Sequence, residues 1–208
     1  MIAGSPRFKE LAFKSIAQEG SVLRIAIQAW AATMTFEAPV PKQGAKRLAG
    51  HVSVDGTLYP AWITATDETT LDAKTSLQPI DCPPLQRART LSTKANTLRF
   101  QAAISKDPDK KKDLLKQAAV ADQIARKETP GLYREVLAKH ADGPGVFEAA
   151  LALMRTAQSS GAKAEDVKAW ANVAIPAAKT FGPRWQTEYT AQVAAVLVGQ
   201  QVIAPLEV

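Results

Sequence analysis

The sequence predicts an α+β fold, mostly α: a small antiparallel β-rich module over 1–81, followed by an antiparallel helical-hairpin array over 82–208. Three observations predict it. Asp55-Gly56 lies between the alternating runs His51-Val52-Ser53-Val54 and Thr57-Leu58-Tyr59, and Asp-Gly accepts the positive φ of a tight hairpin turn. From about Pro84 to Gln200 the chain is Ala-rich, with apolar residues at helical spacing cut only at turn signals. Between these regions, Gln78-Pro79-Ile80-Asp81-Cys82-Pro83-Pro84 holds three prolines, which disfavour any regular element.

The first element expected is a helix over 5–20. Ser5 caps, Pro6 suits the first helical position, Phe8, Leu11, Ala12 and Ile16 recur at helical spacing, and Gly20 stops the run. The period then changes. Val22 to Trp30 and Met34-Thr35-Phe36 are rich in β-branched, apolar and aromatic residues and predict one or two strands. The Asp55-Gly56 hairpin follows, and Pro60 in its second arm implies an edge strand or a bulge. Ala61 to Thr66 resumes strand character.

Six helices are expected beyond the boundary. The first covers 84–104. Asp107-Pro108 opens the second, over 108–127, where Leu114, Leu115, Ala118, Ala121 and Ala125 share a stripe. Thr129-Pro130-Gly131 ends it and starts a third over 131–141. Asp142-Gly143-Pro144-Gly145 is a break before a fourth, 146–159, with Phe147, Ala150, Leu151, Met154 and Ala157 inward. A fifth, 164–181, contains Pro176 and ends at Gly182-Pro183. The sixth, 184–200, is apolar nearly all round from Ala191 to Val198, so more than one of its sides must be covered. That requirement makes Trp185, Tyr189, Val193, Val196 and Leu197 candidates for an apolar face turned to a partner.

The 208 residues are 46% apolar and 22% charged, the balance of an ordinary globular chain. The single cysteine, Cys82, excludes an intramolecular disulfide. Met1 to Glu10 lacks a basic segment followed by an apolar one, so no signal peptide is read and a cytoplasmic location is the expectation. No stretch has the 20 or so apolar residues a membrane span needs. The net charge of +6 is concentrated in one place. Residues 84–128 carry eleven Lys and Arg against five Asp and Glu, while the rest of the chain balances. Arg87, Arg89, Lys94, Arg99, Lys110, Lys111, Lys112 and Lys116 are therefore candidates for holding an anionic partner. Asp107, Asp109 and Asp113 dilute that field, and Phe100 alone offers a stacking surface there, which weighs against single-stranded nucleic acid.

Ala171, Ile175, Ala178 and Pro183 stand at offsets 0, 4, 7 and 12, and Ala118, Asp122, Ala125 and Pro130 repeat them. This resembles the second helix of a tetratricopeptide repeat. The two copies lie 53 residues apart, and Arg155, Gln158, Ser159 and Ala162 do not carry the first-helix pattern. The resemblance implies an α-hairpin array that binds other proteins.

Chemistry is sparsely signalled. Gly143-Pro144-Gly145 reads as a turn rather than a phosphate cradle. His51 and His140 have no ligand at metal-binding spacing. Asp81 next to Cys82 raises rather than lowers a thiol pKa. Asp67-Glu68 falls in a loop, and Glu165-Asp166 complements a helix N-terminus. No catalytic residue, cofactor or metal is expected. The first functional reading is a non-enzymatic scaffold for a protein partner or for self-association, as a subunit or fragment of a larger assembly. The second is binding of an anionic partner through 84–128. The third is an enzyme with a site near Trp62, Cys82 and His140.

Overall fold

In the computed structural model, residues 11–29, 32–65, 67 and 82–201 are described. Five strands, β1 (Leu11–Glu19), β2 (Val22–Ala29), β3 (Ala32–Pro39), β4 (Arg47–Val54) and β5 (Thr57–Thr64), form one antiparallel sheet in the order of the chain. Asp55 and Gly56 both take positive φ, +49° and +81°, in the two-residue turn between β4 and β5. Pro60 lies within β5, an outer strand of the sheet, where its missing N–H is tolerated.

The helix expected over 5–20 is corrected: residues 11–19 are strand β1, and residues 1–10 lie outside the described residues. Gly20-Ser21 is a hairpin turn, Gly20 taking φ +60° and Glu19 pairing with Val22. The pairing of β1 is interrupted by a bulge between Phe13 and Ser15. Phe13 opposes Ile27 and Ile16 opposes Ile25, so two residues three apart share one face of a strand. The expected boundary around 78–81 also falls outside the described residues.

The helices are α1 (Pro83–Ile104), α2 (Pro108–Lys139), α3 (Gly145–Ser159), α4 (Ala164–Ala178), which runs into a 3₁₀ turn at Lys179–Phe181, and α5 (Pro183–Gln201). Asp107 caps α2, its carboxylate accepting from the Asp109 and Lys110 amides at 2.9 and 3.2 Å. Helices expected over 108–127 and 131–141 are one: Pro130 lies inside α2 and ends nothing. It removes a single backbone donor, and Tyr133, Val136 and Leu137 beyond it are buried, so packing holds the helix past the proline.

The chain groups into two compact units, Met1–Asp81 with Ala171–Val208, and Cys82–Trp170. The helical stretch 82–208 is thus divided, its last third belonging with the sheet. In the sheet-bearing unit Ile25, Phe36 and Ala38 form a core, with Leu23, Ile27, Leu48, Val52, Ala61 and Ile63 around them. Gly50 is required there, because a Cβ would lie 2.2 Å from the Glu37 carbonyl oxygen.

In the helical unit, α1 and α2 form an antiparallel hairpin tied by Arg87–Glu128 and Arg99–Asp122. Every seventh residue of α1 along the seam, Ala88, Ala95 and Ala102, is buried, as are Ala118 and Ala121 of α2. Small seam residues let the two rods approach closely. Leu85 meets Gly145 at the start of α3, whose Val146, Phe147, Ala149, Ala150, Leu153 and Met154 are buried.

Candidate functional site

The alanine seam has a consequence for the outer surface of the hairpin. With methyl groups inside, the large apolar side chains of this segment stand outside: Phe100 is 67% exposed and Ile104 65%, with Leu115, Val120 and Ile124 also exposed. Lys94, Lys110, Lys111, Lys112 and Lys116, on the same two helices, are exposed as well. The arginines of the expected anionic site behave differently. Arg87 donates to Glu128 at 2.7 Å, Arg99 pairs with Asp122, and the Arg89 Nε reaches both oxygens of Glu148 at 3.0 Å. The Glu148 carboxylate raises the Arg89 pKa. Their guanidinium groups hold the unit together, which leaves the lysines as the free cationic surface.

The apolar residues expected to face a partner on the last helix are corrected. Trp185, Tyr189, Val193 and Val196 are buried within the chain, and Leu197 is half-buried. Trp185 and Tyr189 lie one turn apart with ring centroids at 6.0 Å, and burial pushes the Tyr189 phenol up. The fold of the chain covers that side of the helix, while Ala191, Ala194, Ala195 and Val198 stand exposed. Its open side carries Gln186, Thr187, Thr190, Ala191 and Ala194, which line a shallow hollow.

A charged row that sequence reasoning did not single out crosses the sheet. Arg24 of β2, Glu37 of β3 and His51 of β4 are directly opposite one another in successive strand pairs and therefore share a face. The Arg24 Nε lies 3.2 Å from Glu37 Oε1, and Arg24 also pairs with Glu19. Arg184, in the first turn of α5, reaches the same Glu37 oxygen at 3.4 Å. His51 Nδ1 lies 3.3 Å from the Phe181 carbonyl oxygen, and Nε2 faces Glu37 Oε2 at 3.5 Å without a hydrogen bond. Burial holds the His51 pKa below its usual value, against the Phe181 carbonyl and Glu37, which favour the charged ring. Both imidazole nitrogens face groups of this unit and the ring is buried, so the row fastens the 3₁₀ turn and α5 to the sheet. The signal lay in the register: strands over 22–30 and 34–36 with a hairpin at 55–56 place Glu37 and His51 on neighbouring strands.

The residues of the enzyme reading lie on different elements of the chain. Trp62 of β5 carries the Arg47 guanidinium 3.9 Å above its ring. Cys82 is buried at the start of α1, and His140 terminates α2, its amide bonded to the Val136 carbonyl. Among the described residues, no three His, Cys, Asp or Glu gather as metal ligands, and no helix is long and apolar enough to cross a membrane. No protein-family model, curated protein or solved structure matches the chain.

Proposed function

We propose that this protein is a docking scaffold whose α1/α2 hairpin presents lysines and exposed apolar side chains to an acidic protein partner. One observation carries the reading: Phe100, Ile104, Leu115, Val120 and Ile124 stand exposed on the same hairpin that exposes Lys94, Lys110, Lys111, Lys112 and Lys116. Exposed apolar side chains on a segment of net positive charge mark surfaces that meet a complementary partner. The likeness of 171–183 to a tetratricopeptide half-repeat supports the same class of function, and Ala171 and Ala178 are buried.

The test places a photo-crosslinking residue at Phe100 or, as a control, at Thr187 on the open side of α5. The expected result is an adduct from Phe100 only, rich in Asp and Glu, lost on Lys110→Glu/Lys111→Glu/Lys112→Glu substitution. Equal adducts from both positions overturn the reading. The same lysines support a second reading, binding of nucleic acid. It requires affinity for single- or double-stranded oligonucleotides that falls steeply with salt.

A further inference from the structure

We infer that the acidic partner, meeting Phe100 and Ile104 at the distal end of α1, lays an amphipathic helix along the side of the hairpin away from α3. The inference rests on the docking reading and adds which surface holds the partner and in what form.

Ion pairs distinguish the two sides of the hairpin. Arg89 reaches Glu148 of α3, so α3 lies on the Arg89 side of α1. Arg87 stands two residues earlier, about 200° around the helix, and pairs with Glu128 of α2. Leu91, Lys94, Leu98 and Gln101 follow Arg87 at 4, 7, 11 and 14 residues, which makes them one stripe of α1. Ile124, Ala121, Gln117, Leu114 and Lys110 precede Glu128 at 4, 7, 11, 14 and 18 residues, one stripe of α2. The helices are antiparallel and Arg87–Glu128 joins the stripes at one end, so they run side by side as the walls of a trough. From Arg87 to Gln101 it is about 21 Å long, roughly four turns of helix.

The lining is apolar. Leu91, Leu98 and Leu114 are half-buried beside the alanine seam, and Ile124 is 38% exposed. Lys94, Gln101, Lys110 and Gln117 are exposed between them. On its opposite side the same hairpin holds a 15-residue helix, α3, with Gly145 against Leu85 and Glu148 against Arg89. An outer face left to water in a helical stack is polar, whereas this one carries three leucines and an isoleucine.

Charge sets the occupant. The two stripes hold three cations, Arg87, Lys94 and Lys110, and one carboxylate, Glu128, which Arg87 engages at 2.7 Å. A helix with an apolar stripe flanked by Asp and Glu meets the leucines with the stripe and the lysines with its flanks. The hairpin of a second copy brings the same excess of cations and is repelled.

The test uses the full chain and a fluorescent peptide of about 18 residues, with leucines at helical spacing and glutamates beside them. One control peptide scatters the leucines, and another replaces glutamate by lysine. Anisotropy titration is expected to show the striped acidic peptide binding about tenfold or more tighter than either control. Lys94→Glu/Lys110→Glu, at two exposed positions, should weaken it about tenfold and confer binding of the lysine peptide. Phe100→Ser should leave peptide binding unchanged, since Phe100 stands eleven residues after Arg89, on the α3 side. Circular dichroism confirms that each variant keeps its helices. Binding that falls with Phe100→Ser and not with the lysine pair overturns the inference and leaves the docking reading standing. Equal binding of striped and scattered peptides, or a dimer of the chain alone that the peptide dissociates, also overturns it.

Discussion

His51 Nε2 faces Glu37 Oε2 across 3.5 Å, with His51 2% and Glu37 8% exposed. Nδ1 lies 3.3 Å from the Phe181 carbonyl oxygen, and both the carbonyl and the carboxylate only accept. A neutral ring has one proton and can serve one of the two acceptors. Serving both takes a second proton, and burial opposes it.

The pH dependence of stability follows from that opposition. The folded-state pKa of His51 lies below the ordinary 6.5 of the unfolded chain. Above about 6.5 both states are neutral and His51 contributes no pH dependence. As pH falls through 6.5 the unfolded chain binds its proton first, so stability falls until the folded pKa is passed. Urea unfolding between pH 8 and about pH 5 should show this decline, and His51→Gln should flatten it. A His51→Gln profile as steep as the parent's would refute it.

Glu37 accepts from Arg24 and Arg184; removing it takes this partner from both, though Arg24 keeps its pair with Glu19. The guanidinium groups are about half exposed and rehydrate, which limits the loss. Glu37→Ala is expected to cost about 1–3 kcal/mol. Chemical denaturation checks it, and a cost near zero would mean that α5 is held without the row.

Two glycines should respond oppositely to alanine. At Gly50 a Cβ would meet the Glu37 carbonyl oxygen at 2.2 Å, the Ala38 Cβ at 2.7 Å and the Phe36 ring at 2.8 Å. Gly50→Ala should destabilise by about 3 kcal/mol or more, since backbone must move. At Gly131, inside α2, nothing lies within 4 Å, and Gly131→Ala should stabilise by about 0.5–1 kcal/mol. Thermal unfolding of both variants decides it.

Pro130 interrupts the hydrogen bonding of α2 at one position. Pro130→Ala should restore that bond and raise stability by about 1–3 kcal/mol, read from the denaturation midpoint. A loss of stability would show that the helix is shaped around the ring.

Much of this architecture was legible where one residue type has one use. Asp55-Gly56, the Asp107 cap and Gly182-Pro183 stand at the turn, helix start and helix end expected of them. Legibility failed where two readings share a pattern. Leu11, Ala12 and Ile16 stand at helical spacing yet lie in a strand, and Gly20 serves equally as a helix stop and a hairpin turn. Pro130 reads as a break because local propensity speaks first, while the burial of Tyr133, Val136 and Leu137 is tertiary. The apolar girth of α5 announces burial without naming what buries it. Of the basic candidates, sequence named the cations but not their partners, since Glu148 lies 59 residues from Arg89.

The sheet-bearing unit draws on both ends of the chain, Met1–Asp81 and Ala171–Val208. On the ribosome, Glu37 and His51 are made about 120–135 residues ahead of Ala171, the first residue of that returning segment, a wait of roughly 6–27 s at ~5–20 residues per second. The intervening Cys82–Trp170 stretch is fully synthesised within that interval. Synthesis therefore has a built-in order: the strands are made before the helical insert, and the insert before the returning helix that packs with those strands. Nascent chains stalled after residue 170 should accordingly show protease protection across 82–170 before the Glu37–Arg184 contact can exist.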